Sequence, residues 1–420
     1  MIERELQSWL SRVSHYPQVI HVQGLRQSGK TTLLGAFRKQ FPHAMHYPLF
    51  DVVTLRQYDT HPEHWALEIE EALKSMEGGR VLHVFVDEIQ KIPLFFQAIQ
   101  GLYDQNKGKV KFWIWGSSAR ALKREKAETL AGRILTKILW PLTQGEILGS
   151  ESRIPNLFSP ELLRKYMQTQ SPRAYINNFS DFFLKSMLPE PALLDDMTHI
   201  QEILKSYQAT YMENEIRREN LVADIGVFER FLALAASEDT GIVNFSSKAK
   251  VLGTSPNTII AYYNILEDTF ICNKILAYSK SLRVQLSKSP KIYFTDTGFA
   301  RFISGERGLP TEDSQTFGRL MEGFVINEIS KQVEYRGLPW ELSYLRTQKG
   351  EMEVDLIITQ GAKSVACEIK ASAKLERSDY QPLIRLMEMD PSIQHGIVFS
   401  RQSAPFELEK NIYNFPIWNL

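Results

Sequence analysis

Cysteine is scarce: Cys272 and Cys367 are the two thiols in 420 residues. They lie far apart, each within an apolar run, and fit two buried, reduced thiols rather than a disulfide framework. Long apolar runs are also missing. Stretches such as Val84-Phe85-Val86 and Phe324-Val325-Ile326 are far too short to span a bilayer. The opening MIERELQSWL has neither an apolar core nor a small-residue cleavage pattern, which argues against a secretory signal. A cytoplasmic protein with no membrane partner is the expectation. Net charge is absent too, because 49 acidic residues balance 49 basic ones. Only local charge can therefore point to an anionic partner. With 43% hydrophobic and 23% charged residues the chain is ordinary globular material, long enough for two to four domains.

The first positive signal is QVIHVQGLRQSGKTTLL, residues 18–34. A strand-like run from Val19 to Val22 enters a turn, and a helix is expected from Thr31 to Phe37. Gly24, Gly29, Lys30 and Thr31 satisfy the phosphate-loop spacing G-x-x-x-x-G-K-[ST]. Glycines let successive N–H groups converge on a phosphate, and the following helix N-terminus adds partial positive charge. Gly24, Leu25, Arg26, Gln27, Ser28, Gly29, Lys30, Thr31 and Thr32 thus form the candidate ATP cradle. Lys30 reaches the β- and γ-phosphates, and the Thr31 hydroxyl is a ligand for Mg²⁺.

RVLHVFVDEIQKIP, residues 80–93, follows as a strand ending in Asp87-Glu88. Asp87 is expected to hold Mg²⁺, and Glu88 to act as base on the attacking water. A third strand, in residues 109–122, ends in Ser117-Ser118. Ser117 at that point orients the lytic water or, with Ser118, caps the next helix. Arg133 precedes another apolar strand and stands either as a finger on transition-state charge or as a solvated surface arginine.

Taken together, GLRQSGKTTLL, VFVDEIQKIP, WGSSARAL, LAGRI and PLTQGE resemble a group of bacterial and archaeal AAA-superfamily ATPases. Those proteins carry a C-terminal domain of unknown function whose core resembles PD-(D/E)xK nucleases. The resemblance runs nearly the whole length of the chain. It implies an α/β protein whose residues 1–148 form a P-loop, AAA-type, three-layer ATPase domain.

Residues 149–224 carry helical patterns broken at Pro155, Pro160 and Pro172, and read as a helical lid or connector. From 225 to 300, three short helical patterns precede two strand-like runs, a winged-helix order whose third helix, headed by Ser255-Pro256, would be the recognition helix. Lys248, Lys250, Lys274, Lys280, Arg283, Lys288 and Lys291 face only Glu267 and Asp268 between residues 241 and 295. That excess suits a DNA backbone, and an adaptor with solvated lysines suits it equally.

Residues 301–420 hold the second chemical signal. In TFGRLMEGFVINEISKQV (316–333), Glu322 is bracketed by Val325, Ile326 and Ile329, while Glu328 lies on the same broad apolar surface. Periodicity leaves both open; the family pattern favours Glu322. EVDLIITQGAKSVACEIK (353–370) reads as strand, glycine turn and strand. Alternation puts Asp355 on the side of Glu353 and Ile357, and sends Glu368 and Lys370 out of one face. With Asp355 opposite Glu368, the carboxylates offer hard oxygens to Mg²⁺ or Mn²⁺, and Lys370 orients the water. The expectation is an ATPase whose nucleotide state controls a DNA-engaging, metal-dependent nuclease half. Beside it stand a switch for protein partners with a silent nuclease-like fold, and a homo-oligomer in which Arg133 reaches a neighbour.

Overall fold

The computed structural model describes residues 2–76, 79–116, 129–150, 154–169, 181–217, 221–306, 308, 310–312, 314–347 and 351–420. Ser117 and Ser118 lie outside them. The chain divides into two compact units, residues 3–140 and 141–420. PLTQGE, expected at the end of the ATPase domain, falls within the second.

In the first unit, β1 (Val19–Gln23), β2 (Met45–Pro48), β3 (Leu82–Asp87), β4 (Val110–Trp115) and β5 (Ile134–Ile138) form a parallel sheet ordered β2-β3-β4-β1-β5. Alternation along the strands builds layers on both faces. Val84, Val86, Phe112 and Ile114 share a core with Trp65, Ile69, Phe95 and Ile99 from the Pro62–Ser75 and Leu94–Gln105 helices. Phe85 and Trp113 point the other way and stack at 5.5 Å. Phe37 of the Lys30–Arg38 helix meets Trp113 edge-on at 5.0 Å. Burying side chains of this size contributes about 1.5–3 kcal/mol each. β4 lies between β1 and β3, so Trp115 ends its strand between the phosphate loop and Asp87. Ligands of open parallel sheets bind beyond these carboxyl ends.

The second unit is built on eight strands ordered β12-β13-β11-β10-β9-β8-β6-β7. They are β6 (Cys272–Ala277), β7 (Lys291–Phe294), β8 (Glu341–Arg346), β9 (Glu353–Gln360), β10 (Lys363–Lys370), β11 (Ile393–Ser400), β12 (Phe406–Glu409) and β13 (Ile412–Pro416). The Gln315–Arg336 helix brings Met321, Phe324, Val325 and Ile329 to one face, against Leu356, Cys367 and Ile397. The Arg377–Met389 helix covers the other with Leu383 and Leu386, against Ile357, Ala366 and Val398.

Three helices precede β6: Ile225–Ser237, Phe245–Leu252 and Pro256–Asp268. Asp224, Asn244 and Ser255 cap them by accepting the backbone N–H of Val227, Ser247 and Thr258. Between β6 and β7 lies a six-residue helix, Leu282–Ser287. β6 pairs antiparallel with β7 and parallel with β8. A single sheet therefore crosses the boundary expected near residue 300. Within 149–224, the helices include Pro160–Thr169 and Met197–Tyr211. Among the described residues, no helix is long and apolar enough to cross a membrane.

Candidate functional site

The loop after β1 keeps its shape through main-chain conformations that few side chains tolerate. Gly24 has φ +143°, and a Cβ there would lie 2.2 Å from the Leu139 carbonyl oxygen, so glycine alone fits. Gly29 (φ +93°) opens the Lys30–Arg38 helix in the left-handed region. Inside this curl the Lys30 ammonium donates to the carbonyls of Gly24 and Leu25, at 2.9 and 2.6 Å. Arg4 supports the loop from below, its guanidinium donating to the carbonyls of Ser28 and Trp140 at 2.7 Å each. Leu25 and Ser28 are buried, Arg26 is half-buried, and Gln27, Thr31 and Thr32 are exposed.

Thr31 and Asp87 come together although 56 residues separate them: the Thr31 hydroxyl donates to Asp87 Oδ2 at 2.8 Å. The Trp115 indole N–H reaches the same Thr31 oxygen at 3.3 Å. Burial pushes the Asp87 carboxyl up to about 6, against the opposing pull of the Thr31 bond. Its second oxygen, Oδ1, is buried with no hydrogen-bond partner. An orphaned carboxylate oxygen beside a hydroxyl, both at the mouth of a phosphate loop, is a donor set suited to a hard divalent cation. Glu88 follows in the left-handed region at φ 56°, an uncommon conformation for a residue with a side chain, and accepts from the Gln90 amide.

Arg133 is not brought to this site. Its carbonyl accepts from Val19 N–H at the start of β1, and its guanidinium grips Asp104 with two bonds of 2.9 Å. In a parallel sheet this is the end opposite the loop, about 16 Å away across five residues of β1. The reading of Arg133 as a finger on its own chain's nucleotide is corrected accordingly.

In the second unit, Glu322, Asp355 and Glu368 lie within electrostatic reach of one another. Glu328, the alternative on the same helix, is instead buried against Lys331 (2.8 Å) and accepts the Gln144 N–H at 3.0 Å. The last ladder partners of β9 and β10 are Leu356 and Cys367, which leaves Asp355 opposite Glu368. There the Asp355 carboxylate accepts the Ile369 N–H at 2.9 Å.

Strict alternation fails just here. Ser343 pairs with Ile357 but Leu345 pairs with Val354, so β9 spends three steps where β8 spends two. Val354 and Ile357 both enter the core beneath the Arg377–Met389 helix. The bulge puts Val354 on the face of Ile357, while the β9–β10 ladder stays regular up to Leu356 and Cys367.

Burial raises Glu322 to about 7 and Glu368 to about 8, the nearby Asp355 charge adding to both. Burial opposes the charge on Lys370, but the Glu368 carboxylate at 2.8 Å outweighs it and lifts the ammonium above its ordinary range. Glu368 Oε1 is buried without a hydrogen-bond partner. Lys291, counted in the sequence among DNA-facing bases, is buried here, 3.1 Å from Glu322 and 3.0 Å from Glu353. Tyr293 donates to Glu322 at 2.7 Å. The signal for both was their spacing: two residues apart on a strand, they share a face. Among the described residues, the one set of three potential ligands with all its atoms within 4.8 Å is the exposed group His61, Glu63 and His64. The C-terminal carboxylates thus converge without closing into a cage.

Comparison with known proteins agrees with the first unit. Residues 16–148 match the family described as an AAA domain. With the phosphate loop and the parallel sheet, this match fits a P-loop, ATPase-like N-terminal domain. Residues 176–309 and 317–420 match two domains of unknown function, DUF8612 and DUF4143. An uncharacterized protein of Mycobacterium tuberculosis is 23% identical over 386 residues, 91% of this chain and 77% of its own length. One from Methanocaldococcus jannaschii is 24% identical over 384 residues, covering 88% and 79%. Among solved structures, the Walker-type ATPase of Pyrococcus abyssi is 14% identical, with a TM-score of 0.44, over 72% of this chain and 96% of that one. A signal transduction ATPase of Pyrococcus horikoshii with a tetratricopeptide repeat sensor is 13% identical, with a TM-score of 0.27, over 80% and 47%.

Proposed function

We propose that the protein is a Mg²⁺-dependent ATPase centred on Lys30, Thr31, Asp87 and Glu88. The observation that carries this is the 2.8 Å contact between Thr31 and Asp87 beside the unpartnered Asp87 oxygen. Bound Mg²⁺ supplies charge neutralisation on the phosphates being separated. The protein does the rest. Loop N–H groups from Gly24 to Thr32 cradle the phosphates, and Lys30 leaves the Gly24 and Leu25 carbonyls for β- and γ-phosphate oxygens. Glu88 accepts the proton of the attacking water, and Ser117, just beyond β4, helps to orient that water. ATP hydrolysis by Lys30→Ala and Glu88→Gln tests this: turnover is lost in both, while Glu88→Gln still binds ATP. Unchanged turnover in Lys30→Ala overturns the assignment.

For the second unit we infer a divalent cation, Mg²⁺ or Mn²⁺, held by Glu322, Asp355 and Glu368, with Lys370 beside it. Such a site cleaves phosphodiesters, and DNA is the substrate class it implies, under control of the nucleotide state. The buried, unpartnered Glu368 oxygen supports it.

A second reading has its own observation. Lys248, Lys274, Lys280 and Lys291 are tied to Glu238, Glu267, Asp390, and Glu322 with Glu353. Exposed Lys250 and Arg283 and half-buried Lys288 remain of the seven bases. That favours an ATP-driven switch for a protein partner, with the C-terminal site silent. Mn²⁺-dependent cleavage of single- and double-stranded DNA, with and without ATP, separates the two. Cleavage that Lys370→Ala abolishes supports the nuclease; no cleavage supports the switch.

A further inference from the structure

We propose that Lys291 is the resident counter-cation of the C-terminal carboxylate site, and that a divalent cation reaches Glu322 only by displacing it. The inference rests on the metal reading just given and adds a regulator to it. Lys291 stands on β7, outside the strand pair and helix that carry the carboxylates. Its side chain is only 4% exposed, and its ammonium is 3.1 Å from Glu322 Oε1 and 3.0 Å from Glu353 Oε1. Tyr293, two residues along the same strand, donates to that same Glu322 oxygen at 2.7 Å. A carboxylate oxygen has two lone pairs, and both are engaged by this strand. Glu322 Oε1 is therefore saturated by the chain itself, whereas Glu368 Oε1 has no partner.

Charge points the same way. Glu322, Glu353, Asp355 and Glu368 bring four negative charges when all are ionised, against three positive ones from Lys291, Lys370 and, on Glu353, Arg346. Burying such a set without compensation is costly, so the lysines are part of its stability when no metal is bound. A divalent ion replacing the Lys291 ammonium at Glu322 exchanges one positive charge for two. The displaced side chain keeps a partner, because Glu353 is 40% exposed and lies on the outer side of the cluster. β7 itself is fixed by its ladder to β6, so the exchange needs only side-chain rotation. Lys291 is thus an internal competitor for the cation, set into the module that precedes the carboxylate domain.

The experiment is Mn²⁺ binding by calorimetry to the full chain without nucleotide, comparing wild type with Lys291→Met. Lys291→Gln, which keeps a donor to Glu322, covers the case in which the methionine variant fails to fold. The expected result is binding at least about tenfold tighter in either variant, unchanged binding in Lys291→Arg, and loss of the gain when Glu368→Gln is added. If wild type binds as tightly as both neutral variants, and Glu368→Gln abolishes that binding, the counter-cation role falls and the metal site stands. If no variant binds Mn²⁺ at the carboxylates, the metal reading falls, and the competition with it.

Discussion

Replacing Asp87 by asparagine should make the nucleotide-free protein more stable while destroying its ATPase chemistry. The buried Asp87 carboxyl is raised from an ordinary 3.8 to about 6. Each tenfold change in proton affinity is about 1.4 kcal/mol, so keeping the carboxylate charged at pH 7.5 costs the fold up to about 3 kcal/mol. The sign follows from proton counting. Between pH 3.8 and about 6 the native state binds more protons at this position than the unfolded chain does. Stability therefore falls as pH rises through that window and stays lower above it. Asparagine carries no such proton, still accepts from Thr31, and has no charge to desolvate. The assay is thermal unfolding from pH 4 to 8 with chelator and no nucleotide, followed by tryptophan fluorescence. At pH 7.5 Asp87→Asn should melt roughly 6–12 °C higher than wild type, the two converging near pH 4. Mg²⁺ with ATP should stabilise wild type alone, because a ligand that binds only the native state adds to its stability. A variant that melts lower at pH 7.5, or keeps the wild-type pH dependence, refutes the claim that burial of this charge is the stored cost.

Gly24→Ala should abolish nucleotide binding and destabilise the first unit, since the new Cβ meets the Leu139 carbonyl at 2.2 Å and φ is +143°; isothermal titration with ATP checks it. Arg133→Ala should leave ATP turnover within about twofold of wild type, because an exposed pair with Asp104 contributes little and lies at the far end of the sheet. A loss of several hundredfold would mean that the guanidinium acts on another molecule's nucleotide. Glu368→Gln should flatten the decline in stability of the second unit between pH 4.5 and about 8, where native Glu368, raised from 4.5 to about 8, keeps a proton that the unfolded chain has given up; denaturant melts across that range decide it.

The candidate nucleotide site is legible in the sequence because its pattern is local. A phosphate loop needs its glycines, lysine and threonine within one turn, and the strand before Asp87 announces its own carboxyl end. Strand polarity also separates Arg133 from that loop, because a residue before a parallel strand cannot sit with a loop that follows one. The C-terminal site was harder. Glu322 and Glu328 look alike on a helix buried on nearly every side, and only the tertiary partners separate them. The bulge in β9 leaves no mark on EVDLIITQ, because register is decided by two strands at once. Lys291 belonged by composition to a basic stretch, and burial among acids is a property of the folded sheet. The same holds for Lys248, whose partner Glu238 lies ten residues before it.

The pairing of β6 with both β7 and β8 has a consequence for how this region is inherited and cut. The two domains of unknown function meet near residue 310 in sequence, yet their strands share one sheet. A truncation there would leave β8 as an open edge, inviting aggregation. It would also take away Lys291 and Tyr293, leaving Glu322 without its partners. The sheet thus ties the two matched regions together, and Lys291 and Tyr293 of the first are the side-chain partners of Glu322 in the second.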